Sequence, residues 1–209
     1  LPYWLGGVFY GPGDLSMESV AVADVFSGAI HSWFESMSGF TTTGSTVIDH
    51  STSPRCLEGT DCISSQPQSL ILWRSLTQWL GGMGVIMLGL LILSQALGGG
   101  MSLARAELTG PSLSRLGPSL QSTARRLWAI YIVLTIIEMV LLRFVGEMSL
   151  FDSVNYALTT LSSGGFGTTD GGVMAFSSAR IEVILMVFMV LTCINFSLLH
   201  LVLVGKSKE

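Results

Sequence analysis

Three runs of this chain, residues 69–95, 126–146 and 180–204, are apolar over lengths that suit one environment. A hydrocarbon core of about 30 Å is crossed by a helix of about 20 apolar residues. Each run reaches that length without the charged face that a soluble helix of this size carries. Composition agrees, with 49% of the 209 residues hydrophobic and only 11% charged, against about 25% charged in a soluble domain. Mean hydropathy is +0.62. The chain reads as an all-α membrane protein. It opens on Leu1 rather than Met, with no basic stretch ahead of an apolar run of the kind a signal peptide has. It is therefore expected to be a segment of a longer polypeptide.

Basic residues set the orientation. Arg105, Arg115, Arg125 and Arg126 gather in the connector 96–125 and the start of the second run, against the single acid Glu107. Lys206 and Lys208 follow the third run. The acids Asp14, Glu18, Asp24, Glu35, Asp49, Glu58 and Asp61 all precede the first run, and Glu147, Asp152 and Asp170 lie between the second and third. The connector and C-terminus of a multi-pass plasma-membrane protein are expected in the cytoplasm, with the acidic segments outside.

Two shorter segments share a pattern. Residues 29–48 (AIHSWFESMSGFTTTGSTVI) and 149–172 (SLFDSVNYALTTLSSGGFGTTDGG) each hold about a dozen helix-compatible residues, then a Ser/Thr/Gly run. Each then returns outside and feeds an inward-running span. Trp33, Phe34, Met37 and Phe40 fall on one helical side, as do Val154, Ala157, Leu158 and Leu161. Runs of this length suit re-entrant segments rather than spans. Non-helical backbone at membrane depth is tolerated only where protein buries it or it lines a wet cavity. A Ser/Thr/Gly strand there offers carbonyl oxygens that replace the water around a dehydrated cation, and glycine supplies backbone angles closed to other residues. The short helix also points its partial negative end at that cation.

The repeat gives two units of helix, re-entrant pore loop and helix. The first occupies 1–95 without its leading helix: an external segment, the loop 29–48, an external loop 49–68 and the span 69–95. The second occupies 126–209: the span 126–146, the loop 149–172, the span 180–204 and a cytoplasmic tail.

FESMSGFTTTGSTVI followed by LWRSLTQWLGGMGVIMLGLLIL resembles the first pore unit of Trk-type potassium-uptake membrane subunits, in the Trk/Ktr/HKT superfamily. RAELTGP, FDSVNYALTTLSSGGFGTTDGG and NFSLLH resemble the next unit. The resemblance runs from about Ser32 to the end. It implies a potassium-channel-like fold of four units around one pore, of which one and a half to two are present. Gly44 and Gly165 match the filter glycines, while Thr42, Thr43, Ser163 and Gly164 would offer carbonyls to the ion. The family associates glycine in all four loops with potassium selectivity and serine in the first with sodium permeation, so Gly44 favours potassium. The resemblance also implies the remaining pore units on the same or another chain, a homodimer, and a cytoplasmic nucleotide-binding regulatory subunit. Potassium is the expected cargo, with no organic cofactor and no nucleic-acid partner.

Other residues carry weaker expectations. Cys56 and Cys62 flank LEGTD in the external loop, as free thiols or a disulfide. With no CxxC and no nearby His, a metal site is not expected, and His31, His50 and His200 are assigned no chemistry. Cys193 reads as a small apolar residue. Glu138 is an ionisable group inside a span. Its nearest charge, Arg143, lies about 140° round the helix, so no direct pair is expected. Glu35 and Gln78 are expected to brace the pore helix and the first span by hydrogen bonds. Arg74 and Arg180 are expected to anchor their spans at the outer interface, and the cytoplasmic arginines to meet membrane lipids. GGMG reads as a close-packing site, and GGFGTTDGG lacks nucleotide-loop spacing. Two other functional classes remain: a membrane scaffold or assembly module without transport, and an intramembrane hydrolase. For the second no GxSG is present, and Ser162 and Ser163 enter from the side opposite His200.

Overall fold

The computed structural model describes residues 2–16, 20–107 and 120–193. Among these there are helices and turns and no strand. Short α1 (Pro2–Leu5) and a 3-10 turn at Pro12–Ser16 lead into α2 (Val22–Phe40). A long loop then reaches α3 (Gln68–Glu107), followed by α4 (Leu120–Phe144), α5 (Leu150–Leu161), a 3-10 turn at Gly172–Phe176 and α6 (Ala179–Cys193). The fold is thus all-α. His200, Lys206, Lys208, Arg115, Glu18 and the last part of the third apolar run lie outside the described residues.

Helix α2 begins at Val22, seven residues before the start expected for the re-entrant segment. Its apolar stripe extends back through Phe26 and Ile30 at helical spacing. The first turn is closed by Asp24, whose carboxylate accepts the Ala21 amide at 2.8 Å. Helix α3 runs past residue 95 into the expected connector, since no proline interrupts the chain before Pro111. Helix α5 starts on a Ser149 cap that accepts the Asp152 amide at 3.0 Å.

Helix α3 stands between α2 and α5, and α4 covers α5 from the far side together with α6. Met83, Tyr131, Leu161 and Phe188 form the core between α3, α4, α5 and α6, with Trp79 stacked on Tyr131. Leu142, Met148, Tyr156, Ala157, Ile181 and Leu185 form a second core toward the other end of α4 and α6. The two short helices differ in cover. Ala157, Leu158 and Leu161 of α5 are buried, whereas Trp33 (70%), Phe34, Met37 and Phe40 of α2 are exposed. In the second unit α4 supplies the covering helix. Helix α4 itself carries an outward apolar face of Ile132, Val133, Ile136, Ile137 and Val140. Its segment Leu127–Phe144 has mean hydropathy 2.1, as a lipid- or helix-facing span requires.

The GGMG stretch of α3 acts where close packing is expected. A Cβ on Gly81 would collide with the Phe40 carbonyl at the end of α2. One on Gly82 would lie 2.8 Å from the Ser162 Cβ at the end of α5. Adjacent glycines therefore let both short helices end against one spanning helix. Gly84 faces open space. Gly81→Ala is accordingly expected to lower stability by about 1–3 kcal/mol through overpacking. Gly84→Ala should be neutral or gain about 0.5–1 kcal/mol. Thermal unfolding of the two variants in detergent checks the contrast.

Candidate functional site

The two short helices end in the same hydrogen-bonded turn. The Thr43 amide donates to Ser38 O and the Thr42 amide to Gly39 O, both at 3.0 Å. The Gly164 amide donates to Thr159 O and the Ser163 amide to Thr160 O, both at 2.9 Å. This pair of bonds is the Schellman arrangement, with the residue past the helix end left-handed. Thr42 and Ser163 take that position, with φ of 55° and 54°. Two residues on, Gly44 and Gly165 are again left-handed, at 76° and 82°. Non-glycine residues seldom adopt such φ values. The same backbone path is thus built twice, from the different sequences TTTGS and SSGGF.

The two loops meet. A Cβ on Gly44 would strike the Gly164 carbonyl oxygen, so the glycine is what lets one loop lie on the other. Gln78 of α3, fully buried, sits between them. Its Oε1 accepts the Phe166 amide at 3.2 Å, and its side chain occupies the space a Cβ on Gly164 would need. Gly165 has nothing within 4 Å on its side-chain side, and it borders a cavity of about 270 Å³ lined by Tyr156, Thr160, Ser163 and Met189.

Past its glycine, each loop runs along a carboxylate. In the first, Glu35 accepts Thr46 Oγ1 at 3.0 Å and the Val47 amide at 3.2 Å. In the second, Asp152 accepts Thr168 Oγ1 at 2.7 Å. Glu35 is fully buried and its charge is met by Arg74 of α3, Nε to Oε1 at 2.8 Å. Arg74 is 2% exposed, which corrects the expectation of an interfacial anchor. It reaches inward because its partners lie there: Glu35 on one side, and on the other the Phe166 ring, 4.0 Å from the guanidinium carbon, and Gly167 O at 3.4 Å. Arg180 does stay at the surface, paired with Glu147 at 2.9 Å. Tyr3 packs into the same region, near Arg74, Glu35 and Thr77. Burial pushes its hydroxyl up to about 12, which keeps it neutral beside the ion pair.

Further struts tie α3 to the second unit. Ser75 Oγ donates to Asn155 Oδ1 at 2.6 Å, and Asn155 Nδ2 donates to Phe151 O at 2.8 Å. Asp170 accepts the Cys62 and Ile63 amides at 2.7 and 3.0 Å, and the Asp170 amide donates to Asp61 at 2.8 Å. Arg74, Ser75 and Asn155 were not read as partners from the sequence. The signal that marks them is a polar stripe, Arg74, Ser75 and Gln78, at helical spacing within an apolar run. Glu138 is fully buried on α4 beside Thr160, and Arg143 turns away to Met148 O at 3.2 Å. Cys56 and Cys62 are joined as a disulfide, with Cα atoms 4.8 Å apart. Contrary to the expectation that no histidine is near, His50 Nδ1 lies 3.0 Å from Cys56 Sγ.

Comparison with known proteins adds identity to this geometry. The family model for TrkH, described as cation transport protein, matches residues 15–209. The Trk system potassium uptake protein TrkH of Escherichia coli (strain K12) is 38% identical over 176 residues, 84% of this chain and 34% of that protein. TrkH of Halomonas elongata is 39% identical over 79% of this chain and 32% of that protein. TrkG of Escherichia coli (strain K12) is 35% identical over 85% of this chain and 34% of that protein. The crystal structure of the potassium transporter TrkH from Vibrio parahaemolyticus superposes with a TM-score of 0.64 at 28% identity, over 88% of this chain and 34% of that one. The chain spans about a third of the length of the curated relatives it matches. By the family match over nearly its whole length, this membrane protein belongs to the TrkH family of cation transport proteins.

Proposed function

We propose that this chain supplies two adjacent filter loops of a potassium-uptake pore, with potassium bound by the carbonyls of Thr42, Thr43, Gly44, Ser163, Gly164 and Gly165. The observation that carries the reading is the contact of Gly44 with the Gly164 carbonyl, between two loops of matching left-handed turns. Matching turns brought into direct contact suit two filter strands of one pore. The open side of Gly165 leaves room for the remaining loops, on this or another chain. The named relatives are potassium uptake proteins, which supports potassium as the cargo. A homodimer, a cytoplasmic nucleotide-binding subunit, and a cytoplasmic connector and C-terminus complete the proposal. They rest on the family resemblance and on the arginine distribution.

Selectivity here depends on main-chain geometry, since no side-chain charge of the filter residues faces the ion. Gly44→Ser would place a side chain against the Gly164 carbonyl and hold an L-residue at φ 76°. A left-handed L-residue costs roughly 1–2 kcal/mol. Spent at the ion site, that free energy corresponds to about a tenfold loss of potassium over sodium discrimination. Gly165→Ser, facing open space, carries the strain alone and is expected to lose less within this pair of loops. Competing rubidium and sodium tracer fluxes of the assembled transporter in proteoliposomes measure both. Unchanged discrimination in Gly44→Ser would overturn the filter assignment.

The frame behind the filter yields a stability prediction. Arg74→Met leaves the Glu35 carboxylate buried without its cation, and is expected to cost about 3–5 kcal/mol. Arg74→Met combined with Glu35→Leu should recover more than half of that loss, read from unfolding midpoints in detergent. Arg180→Ala removes an exposed pair and should cost less than about 1 kcal/mol.

A further inference from the structure

Outside the filter, the structure gathers a second set of chemically capable side chains. His50 Nδ1 lies 3.0 Å from Cys56 Sγ and 3.5 Å from Cys62 Sγ. The three donor atoms all fall within 4.8 Å of one another. Both cysteines are buried, in a core with Tyr3, Val8, Phe9 and Ile48, whereas His50 is exposed. The cluster therefore has a protein side that fixes the sulfurs and a solvent side through which a small ion can enter.

The backbone that carries these residues is held by bonds that do not involve sulfur. Thr52 Oγ1 donates to Val47 O at 2.6 Å and accepts the Asp49 amide at 2.9 Å. The Cys56 amide donates to Ser53 O at 3.2 Å, and the Cys62 amide donates to Asp170 at 2.7 Å. Gln66 Nε2 bridges Ser53 Oγ and Cys62 O, at 3.0 Å each. Opening the sulfur–sulfur bond therefore leaves the three residues in place.

Two thiolates and an imidazole nitrogen are the donor set of zinc and other borderline or soft cations, and not of potassium or magnesium. Tetrahedral zinc with Zn–S bonds of about 2.3 Å holds its sulfurs about 3.7 Å apart, with an imidazole nitrogen about 3.5 Å from each. The nitrogen already stands near that spacing, so only the sulfurs have to part.

We propose that His50, Cys56 and Cys62 form a zinc site that alternates with the disulfide: closed by oxidation, and opened by reduction to hold one zinc ion through three ligands. In the reducing step an external dithiol gives two electrons and two protons, becoming a disulfide, while Cys56 and Cys62 become thiols. Zinc then binds as both S–H protons pass to solvent, with His50 contributing neutral Nδ1 and keeping its proton on Nε2. The fourth position is open on the exposed side and takes water. Neither the filter nor its cargo enters into this site.

The test uses the purified protein in detergent, either left oxidised or reduced with a phosphine and desalted under nitrogen. Each sample is equilibrated with zinc chloride, desalted again and assayed for zinc by mass spectrometry, with affinity read by competition against a chromogenic chelator. The expected result is one zinc per reduced chain and at least about tenfold less in the oxidised protein. His50→Gln, at an exposed position that leaves the fold intact, should weaken binding by about tenfold or more. Cys56→Ser with Cys62→Ser should reduce zinc to background. Zinc in the reduced wild type no higher than in the double cysteine variant would overturn the proposal. An affinity unchanged by His50→Gln would overturn it equally.

Discussion

A single guanidinium organises the space between the two pore units. Arg74 projects from α3 into protein, where its Nε binds Glu35 of α2, its face lies on the Phe166 ring and its Nη1 reaches Gly167 O. Burying a charge is tolerable only when it is paired and hydrogen-bonded. The partner carboxylate is in turn occupied by Thr46 and Val47 on the return limb of the first loop. One ion pair thus fixes the return limb of one loop and touches that of the other. Four residues on, Gln78 lies between the loops themselves. Helix α3 acts as a post whose polar stripe joins the two units, alongside the bonds of Asp170 to the Cys62 and Ile63 amides.

The two units reach the same backbone by different means. Both short helices end in matching hydrogen bonds, with Thr42 and Ser163 left-handed and glycine two residues later. The braces differ. The first loop uses Glu35, whose charge demands Arg74, while the second uses Asp152 near the helix start with Thr168. At the position matching Glu35 the second unit carries Tyr156, buried against Phe176. The conserved quantity between the halves is thus the path of the peptide chain. The two units thus share one backbone turn even though their supports bear different charges.

Much of this was legible from residues alone. Apolar length marked the long helices, and the alignment of Gly44 with Gly165 marked two matching turns, because a left-handed backbone favours glycine. Glu35 and Gln78, polar groups set among apolar residues, were legible as hydrogen-bonding braces. Arg74 was not. An arginine near the end of an apolar run suits the interface as well as the interior, and only the distant carboxylate decides between them. The His50–Cys56–Cys62 cluster was hidden for a related reason. Its spacing matches no metal motif, and it is the turn at Asp49–Thr52 that folds the imidazole back onto the sulfurs. The early start of α2 was missed because its extra turns add exposed apolar residues, which look like loop until a covering helix is imagined.

The contact of Gly44 with the Gly164 carbonyl also limits how such a pore can vary. A side chain at 44 would meet a peptide oxygen, whereas one at 165 would meet open space. The two glycines are close in backbone angle, at φ 76° and 82°, and unequal in surroundings. Within the described pair of loops, then, a substitution at Gly44 disturbs two strands at once, and a substitution at Gly165 begins by disturbing one. Because Gln78 fills the volume beside Gly164, that strand cannot retreat without displacing a fully buried side chain of α3. Close packing converts a one-atom change in the first loop into a shift of carbonyls in the second. Of the two glycines the first is therefore the more sensitive to a side chain.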